Sequence, residues 1–583
     1  MRLTAFALLL LLPVAAHAAL PTPDEVAAHA ARTLAAECDD DAPGMAVLVA
    51  RGDQVLYRGA CGKASLELGV DLSPDHVFRI GSVTKQFTAA AVLKLAGEGR
   101  LSLDDPLDRF LPGYPGGEAI TVRMLLDHTS GVRSYTSMPD VMPDGTIRRD
   151  LTTAQLVDVF KDEKPDFAPG QGWRYNNSGY VLAGAVIEAV TGKSWHGYLD
   201  EAFFRPLGMA STRYGHPADA VIPGHVNGYT RQGDRWAPAL PLSMTQPHAA
   251  GALVSTVDDL LRWNRALHGG RVLDDAAYRA MTTPAGKAAD GEYGFGIFAR
   301  TLRGQRYLEH GGGIFGFVSA LGYVPGEQVT VAVLRNSDGL APGRQSPEQL
   351  ARALAAHAIG RPYPDKTPIE VDAAALEEYA GVYRIDADST RVVRVSDGHL
   401  TSQRTGGRPY RLIPVAKDEF VFPEGHSRVV FERDAEGRVV AMRYFPEDEG
   451  EGERVERSDE PPPQGRVETT LPRAALERVA GEYVLDGALL RVFLDDDTPK
   501  VQLEGQPALE IFAESGSRFF LKAVDATLRF EPDDAAPRRV VDDLPAGDAA
   551  SVRAVRSLTD RGPRPYRTPS PRGSPRPCRP RRR

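Results

Sequence analysis

"FRIGSVTKQF", residues 78–87, sets a serine and a lysine three positions apart at the head of an apolar run. The pattern predicts a helix starting near Ser82, with Phe87, Ala90, Ala91 and Leu95 on a buried stripe and Gly97 and Gly99 at its end. Residues three apart are neighbours on a helix surface, with Cβ atoms about 5–6 Å apart, so Lys85 lies one turn below the Ser82 hydroxyl and on its side. Serine is a weak nucleophile that needs a base within hydrogen-bond reach. Lysine serves as that base only when burial or neighbouring positive charge strips its proton. A blander reading stands beside this one, with Ser82 as a helix cap and Lys85 as a solvated helix residue. Of eleven lysines in the chain, only Lys85 has a serine three residues before it.

At 583 residues the chain is too long for one core and divides into several domains. Its formal charge of −9 conceals a split: residues 550–583 hold eleven arginines against Asp560 alone, which leaves −19 for the remainder. An acidic body without any nucleic-acid motif argues against a nucleic-acid ligand. The start, "MRLTAFALLLLLPVAAHA", reads as a secretory signal over 1–18 with small residues Ala16 and Ala18 flanking His17. No later apolar run is long enough to span a bilayer, so the expected location is periplasmic or secreted. Cys38 and Cys61 lie before and within an apparent hairpin, "GMAVLVARGDQVLYRGACG", that turns near Gly52 and Asp53. An oxidising compartment permits a bridge between them. The hairpin register, however, sets Cys61 nearer Gly44 than Cys38, which favours two free buried thiols.

Helical segments fill the middle of the chain. They include "YVLAGAVIEAVTG" from Tyr180 and "STVDDLLRWNRAL", where Ser255 reads as the cap. Then "RYLEHGGG", "FVSALGYVP" and "VTVAVLRNS" read as an antiparallel sheet with the amino-terminal hairpin as neighbour, closed by the helix "PEQLARALAAHAIG". Past the linker "RPYPDKTP" comes a duplication: "AALEEYAGVY" (374–383) matches "AALERVAGEY" (474–483), and Arg391-Val392 matches Arg491-Val492, both at a spacing of 100. Each copy reads as short strands with turn signals, a small barrel or sandwich. The copies part after Asp434 and Asp533, so the strand "GRVVAMRYF" is expected to have no counterpart in the second. The Arg/Pro-rich stretch from about 541 onward is expected to be disordered.

Two further stretches carry chemistry-bearing side chains. "WRYNNSGY" supplies Tyr175 and Asn177 before a helix, and "EHGGGIFGF" sets His310 at a strand end beside Gly311, Gly312 and Gly313. Ser82-x-x-Lys85, Tyr175-x-Asn177 and His310-x-Gly312, in that order, resemble the penicillin-recognising serine hydrolases: class C β-lactamases, D,D-carboxypeptidases, D-aminopeptidases and related esterases. The resemblance covers about 25–358 and extends to "LLDHTSGV" (125–132), "FAPGQGWRYNNSGY" (167–180), "EAFFRPLGM" (201–209) and "AAGALVSTVDDL" (249–260). It implies an α/β fold, a β-lactamase-like three-layer αβα sandwich with a helical subdomain over 19–362. Two small all-β repeats, barrel or lipocalin-like, follow at 368–460 and 470–540, the second incomplete. Tyrosine and histidine stand where the β-lactamase signature has the serine of Ser-Asp-Asn and the lysine of Lys-Thr-Gly.

The resemblance further implies that Ser82 attacks a carbonyl, that Lys85 and Tyr175 move the proton, and that water discharges the acyl-enzyme. Asn177 would hold the substrate amide, His310 and Gly312 would line the far wall, and the backbone N–H groups of Ser82 and Gly313 would form the oxyanion hole. Neither a metal nor a cofactor is called for. The implied substrate is a small molecule or short peptide: a D-amino-acid amide or peptide, or an ester. A class C-like β-lactamase, a D,D-carboxypeptidase and a non-enzymatic sensor of the same fold remain as alternatives. An α/β-hydrolase lipase, suggested by "HGGG", is excluded because the chain has no Gly-x-Ser-x-Gly elbow.

Overall fold

The computed structural model describes residues 20–542 apart from 139–144, 217–220, 342, 365–366, 388, 397, 406, 408, 424, 461–467, 486–487, 496, 504–507, 522–525 and 532–538. The signal-like start and the Arg/Pro-rich stretch beyond 542 therefore lie outside the described residues.

The hairpin of β1 (Met45–Arg51) and β2 (Gln54–Cys61) turns at Gly52 and Asp53. Four later strands complete its sheet: β3 (Phe298–Leu302), β4 (Gln305–Ile314), β5 (Phe317–Val324) and β6 (Val329–Arg335). The order is β3-β4-β5-β6-β1-β2, and every neighbouring pair is antiparallel. Strand β1 is apolar from Met45 to Ala50 because both of its faces are buried there. Ala46, Leu48 and Ala50 enter one core, while Met45, Val47 and Val49 enter the other. Helices α1 (Pro23–Glu37) and α5 (Pro347–Ala358) pack in the second core. Helices α2 (Thr84–Gly97), α3 (Asn177–Thr191) and α4 (Val257–His268) pack in the first. The result is a three-layer sandwich in which the strand run over residues 298–335 closes onto the hairpin of residues 45–61.

Three local expectations need correcting. Helix α2 has no solvated face: Thr84, Lys85, Gln86 and Thr88 are buried along with Phe87 and Leu95, because neighbouring elements enclose it on all sides. Helix α4 is capped one residue later than expected, by Thr256, whose hydroxyl accepts from the Asp259 N–H at 3.2 Å; Ser255 ends a short strand instead. Cys38 and Cys61 are bridged, with Cα atoms 6.0 Å apart. The register does put Cys61 opposite Met45, beside Gly44. Cys38, however, caps the carboxyl end of α1, and that helix lies against the hairpin, a placement strand register cannot reveal.

The strands from Gly381–Arg384 to Glu453–Ser458 form a closed eight-stranded barrel. A second, seven-stranded sheet runs from Gly481–Leu485 to Arg539–Asp542. The duplication is visible in single bonds. Tyr383 donates its hydroxyl hydrogen to Tyr379 O at 2.8 Å, and Tyr483, 100 residues on, donates to Val479 O at 2.7 Å. The copies also agree further than expected, since Arg539–Asp542 pairs with Thr527–Glu531 and supplies part of the missing counterpart to Val439–Phe445. Among the described residues, the strand matching Glu453–Ser458 is absent from the second copy.

The barrel is tied to the three-layer sandwich at the β3–β4 turn and at the head of α5. Arg303 Nη1 donates to Asp448 O at 3.0 Å, and its guanidinium pairs with the Asp448 carboxylate. His426 stacks on Tyr363 with centroids 3.8 Å apart, and its Nε2 stands 3.1 Å from Gln349 O. These contacts bring the residues Pro446–Asp448 beside the sandwich. Among the described residues, no helix is long and apolar enough to cross a membrane.

Candidate active site

Ser82 sits in a short 3₁₀ turn, Gly81–Val83, that feeds directly into α2, so Lys85 is the second residue of that helix. Lys85 is fully buried, and its Nζ stands 3.0 Å from Ser82 Oγ, 2.8 Å from Asn177 Oδ1 and 2.8 Å from Ala250 O. Among the described residues, no carboxylate pairs with it. Burial drives its pKa well below the usual lysine value. A neutral amine has two N–H groups and one lone pair. With the N–H groups given to the fixed carbonyl oxygens of Asn177 and Ala250, the lone pair faces the Ser82 hydroxyl, which is the arrangement a general base needs.

Asn177 reaches this position because its neighbour caps the helix. Asn176 Oδ1 accepts from the Gly179 N–H at 2.9 Å, which leaves the Asn177 side chain free. Asn177 Nδ2 donates one hydrogen to Thr136 Oγ1 at 2.9 Å and keeps a second for a ligand. The Tyr175 side chain lies close enough to Ser82 for the hydroxyl to lower its phenol, and Lys85 Nζ lies 4.8 Å from its ring centroid. Burial raises the Tyr175 phenol, so it holds its proton at neutral pH. The two groups flanking Ser82 are thus pushed apart in acidity, one toward base and one toward acid.

Strand β4 forms the wall beside Ser82. Gly312 packs so tightly that a Cβ there would stand 2.1 Å from Ile80 O, two residues ahead of Ser82. His310 is 2% exposed, and both of its ring nitrogens are engaged inside the protein. Nδ1 is 2.6 Å from Gly311 O, an acceptor only, so Nδ1 carries the hydrogen. Nε2 then accepts from the Tyr293 hydroxyl at 2.9 Å. Desolvation and the nearby Lys85 hold the His310 pKa down to about 3. His310 is therefore a neutral wall at physiological pH with no free nitrogen for a ligand.

The structure brings together all seven residues singled out from the sequence: Ser82, Lys85, Tyr175, Asn177, His310, Gly312 and Gly313. Sequence reasoning missed Tyr293, which donates to His310 Nε2, and Thr136 and Ala250, which orient Asn177 and Lys85. Ala250 lies in the family-like "AAGALVSTVDDL", but its part is played by a backbone carbonyl that no side-chain pattern announces. Two cavities meet at Ser82 and Gly313. One, of about 430 Å³, is lined mainly by apolar groups, including Tyr135, Leu242, Pro247, Phe315 and Val318, with Asn177 at its floor. The other, of about 440 Å³, is lined by Tyr175, His310 and charged side chains. Among the described residues, no group of three or more His, Cys, Asp or Glu side chains is placed to hold a metal ion.

The Beta-lactamase family model matches residues 28–356, and Domain of unknown function (DUF3471) matches residues 365–457, the first barrel. Penicillin-binding protein 4* of Bacillus subtilis is 27% identical over 398 residues, 64% of this chain and 86% of its own length. The D-aminopeptidase of Brucella canis is 29% identical over 304 residues, 51% of this chain; the match covers 57% of that enzyme's length. Among solved structures, the octameric penicillin-binding protein homologue from Pyrococcus abyssi superposes with a TM-score of 0.52 at 24% identity, covering 74% of this chain and 99% of that one, a likeness of fold.

Proposed function

The chain belongs to the beta-lactamase family and is a serine hydrolase working through an acyl-enzyme, and within that frame we propose that Ser82 is its nucleophile, Lys85 its base and Tyr175 its acid. The observation that carries this reading is the buried Lys85 amine 3.0 Å from Ser82 Oγ. Lys85 takes the Ser82 proton as Oγ attacks a substrate carbonyl. The negative charge on the carbonyl oxygen falls to the backbone N–H groups of Ser82 and Gly313, each worth about 2.7–4 kcal/mol by analogy with other oxyanion holes. Tyr175 protonates the departing group and is reprotonated through Lys85. Water then attacks the acyl carbon, and Ser82 leaves with its proton restored. Asn177 Nδ2 holds the acyl part of the substrate.

The substrates we propose are small amides, D-amino-acid peptides or esters, with β-lactams at most feebly hydrolysed. A neutral His310 offers no charge to the carboxylate such drugs carry, and hydrogen bonds to charged groups are worth about 1.5–3 kcal/mol. We also infer export from the cytoplasm, supported by the Cys38–Cys61 bridge. The test is a rate panel of p-nitrophenyl esters, D- and L-amino-acid anilides, D-Ala-D-Ala peptides and a chromogenic cephalosporin on wild type and Ser82→Ala. The expected result is Ser82-dependent turnover of the esters or D-anilides. Cephalosporin hydrolysis near 10⁶ M⁻¹s⁻¹, well within the range of efficient enzymes, would overturn the substrate reading and leave the nucleophile standing.

A further inference from the structure

In acyl transfer the group that leaves must face the acid that protonates it. Tyr175 lines the charged cavity and not the apolar one, whereas Asn177 lines the apolar cavity. The acyl part therefore belongs in the apolar cavity and the leaving group in the charged one. The charges in that second cavity come from Glu309, Glu348 and Glu447 against Arg300 and Arg352.

Both arginines are engaged by one carboxylate: Arg300 Nη1 and Arg352 Nη1 donate to the same Glu309 Oε1, at 3.1 and 3.2 Å. Glu447, delivered by the first barrel, stands 3.7 Å from Arg352 Nε. That is too long for a hydrogen bond, and Glu447 Oε2 is buried without a donor. Glu348, at the head of α5, is in no ion pair among the described residues. Its carboxylate occupies the space left by the missing side chain of Gly311, where a Cβ would come within 2.4 Å of Oε1. Burial raises the Glu348 carboxyl, against the lowering pull of its own backbone N–H and of Ser346, and Glu309 adds a smaller push upward. The cavity thus presents a carboxylate with no cation paired to it among the described residues and a second oxygen without a donor, beside an acid that faces the leaving group.

We propose that this cavity selects a leaving group bearing a positive charge, an ammonium-carrying alcohol or amine, with Glu348 as the specificity-determining carboxylate and Glu447 beside it. The proposal rests on the acyl-enzyme reading of Ser82 and names the substrate class for it. The bond broken joins the acyl carbon to the leaving oxygen or nitrogen; that atom takes its proton from Tyr175, and the ammonium departs unchanged.

The test uses the full chain and phenylacetyl esters of choline, of its uncharged isostere 3,3-dimethylbutan-1-ol, and of 3-hydroxypropanoate. A carboxylate and an ammonium brought together in a partly buried cavity attract more strongly than in bulk water. The choline ester should therefore exceed the neutral ester in kcat/KM by about ten- to a hundredfold, with the anionic ester slowest. In Glu348→Gln the ratio of choline to neutral ester should collapse toward one. Calorimetric titration of choline against 3,3-dimethylbutan-1-ol on wild type asks the same question without turnover or a folded variant, and choline should bind more tightly. Equal rates and equal binding for the charged and neutral compounds, or preference for the anionic ester through Arg300 and Arg352, would overturn the proposal. Turnover that survives Ser82→Ala would count instead against the nucleophile.

Discussion

Replacing Gly312 by alanine would test how Ser82 is held. The added methyl group would lie 2.1 Å from Ile80 O and 2.4 Å from Ser319 Oγ, where ordinary contacts are more than an ångström longer. Neither neighbour can yield alone. Ser319 Oγ donates to Ile80 O at 2.8 Å, and Ile80 stands two residues before Ser82. Relieving the clash therefore shifts either the turn that carries Ser82 or the strand that carries Gly313, by about an ångström. Displacements of that size at a reacting centre cost about 100-fold in rate, and overpacking of this kind costs about 1–3 kcal/mol in stability. Gly313→Ala supplies the contrast: its methyl group would meet nothing within 4 Å, so it leaves the packing intact and only narrows the cleft. Steady-state kinetics on a p-nitrophenyl ester, paired with urea unfolding, would measure both effects. A Gly312→Ala enzyme with wild-type kcat/KM and wild-type stability would show that β4 does not fix the turn bearing Ser82.

Three further outcomes follow from the same structure. Tyr293→Phe removes the donor to His310 Nε2 and leaves a buried acceptor unpaired, at a cost of about 1–3 kcal/mol; the His310 ring, followed by NMR, should titrate at higher pH than in wild type, and an unchanged titration would contradict the tautomer assignment. His248, His268 and His310 each have a folded pKa of about 3, below the unfolded value of about 6.5. The unfolded chain therefore binds more protons between those limits, and stability present above pH 6.5 should fall as pH drops toward 3, by about 1.4 kcal/mol per pH unit for each histidine; urea midpoints that stay flat over that window would refute it. Cys61→Ser opens a bridge spanning 23 residues and should cost about 2–4 kcal/mol, read as a lowered urea midpoint and set against no change if the bridge does not form in the purified protein.

What the sequence made legible was whatever depends on local spacing. Ser82 and Lys85 are three apart and adjacent, and the alternating strands "FVSALGYVP" and "VTVAVLRNS" pair with each other, the latter also with the first hairpin strand. The 100-residue repeat reappears as the paired hydroxyl bonds of Tyr383 and Tyr483. The features that stayed hidden depend on contacts between distant segments. Lys85 is buried because α3, the 248–251 turn and strand β4 close over it, and nothing within α2 distinguishes it from a solvated lysine. The donor to His310 Nε2, Tyr293, comes from outside β4, and the charged cavity joins side chains from β3, β4, α5 and the barrel. The disulfide escaped because register relates only the two strands of the hairpin, whereas Cys38 sits on the helix behind them.

If a neutral Lys85 makes Ser82 nucleophilic, covalent trapping should show it. Wild type, Lys85→Ala and Ser82→Ala would be treated with a serine-reactive phosphonate, the adduct followed over time and its position mapped by mass spectrometry. The account predicts one adduct, on Ser82, formed quickly in wild type, orders of magnitude more slowly in Lys85→Ala, and absent from Ser82→Ala. An adduct on Ser130 or Ser178, or equal labelling rates in wild type and Lys85→Ala, would contradict it.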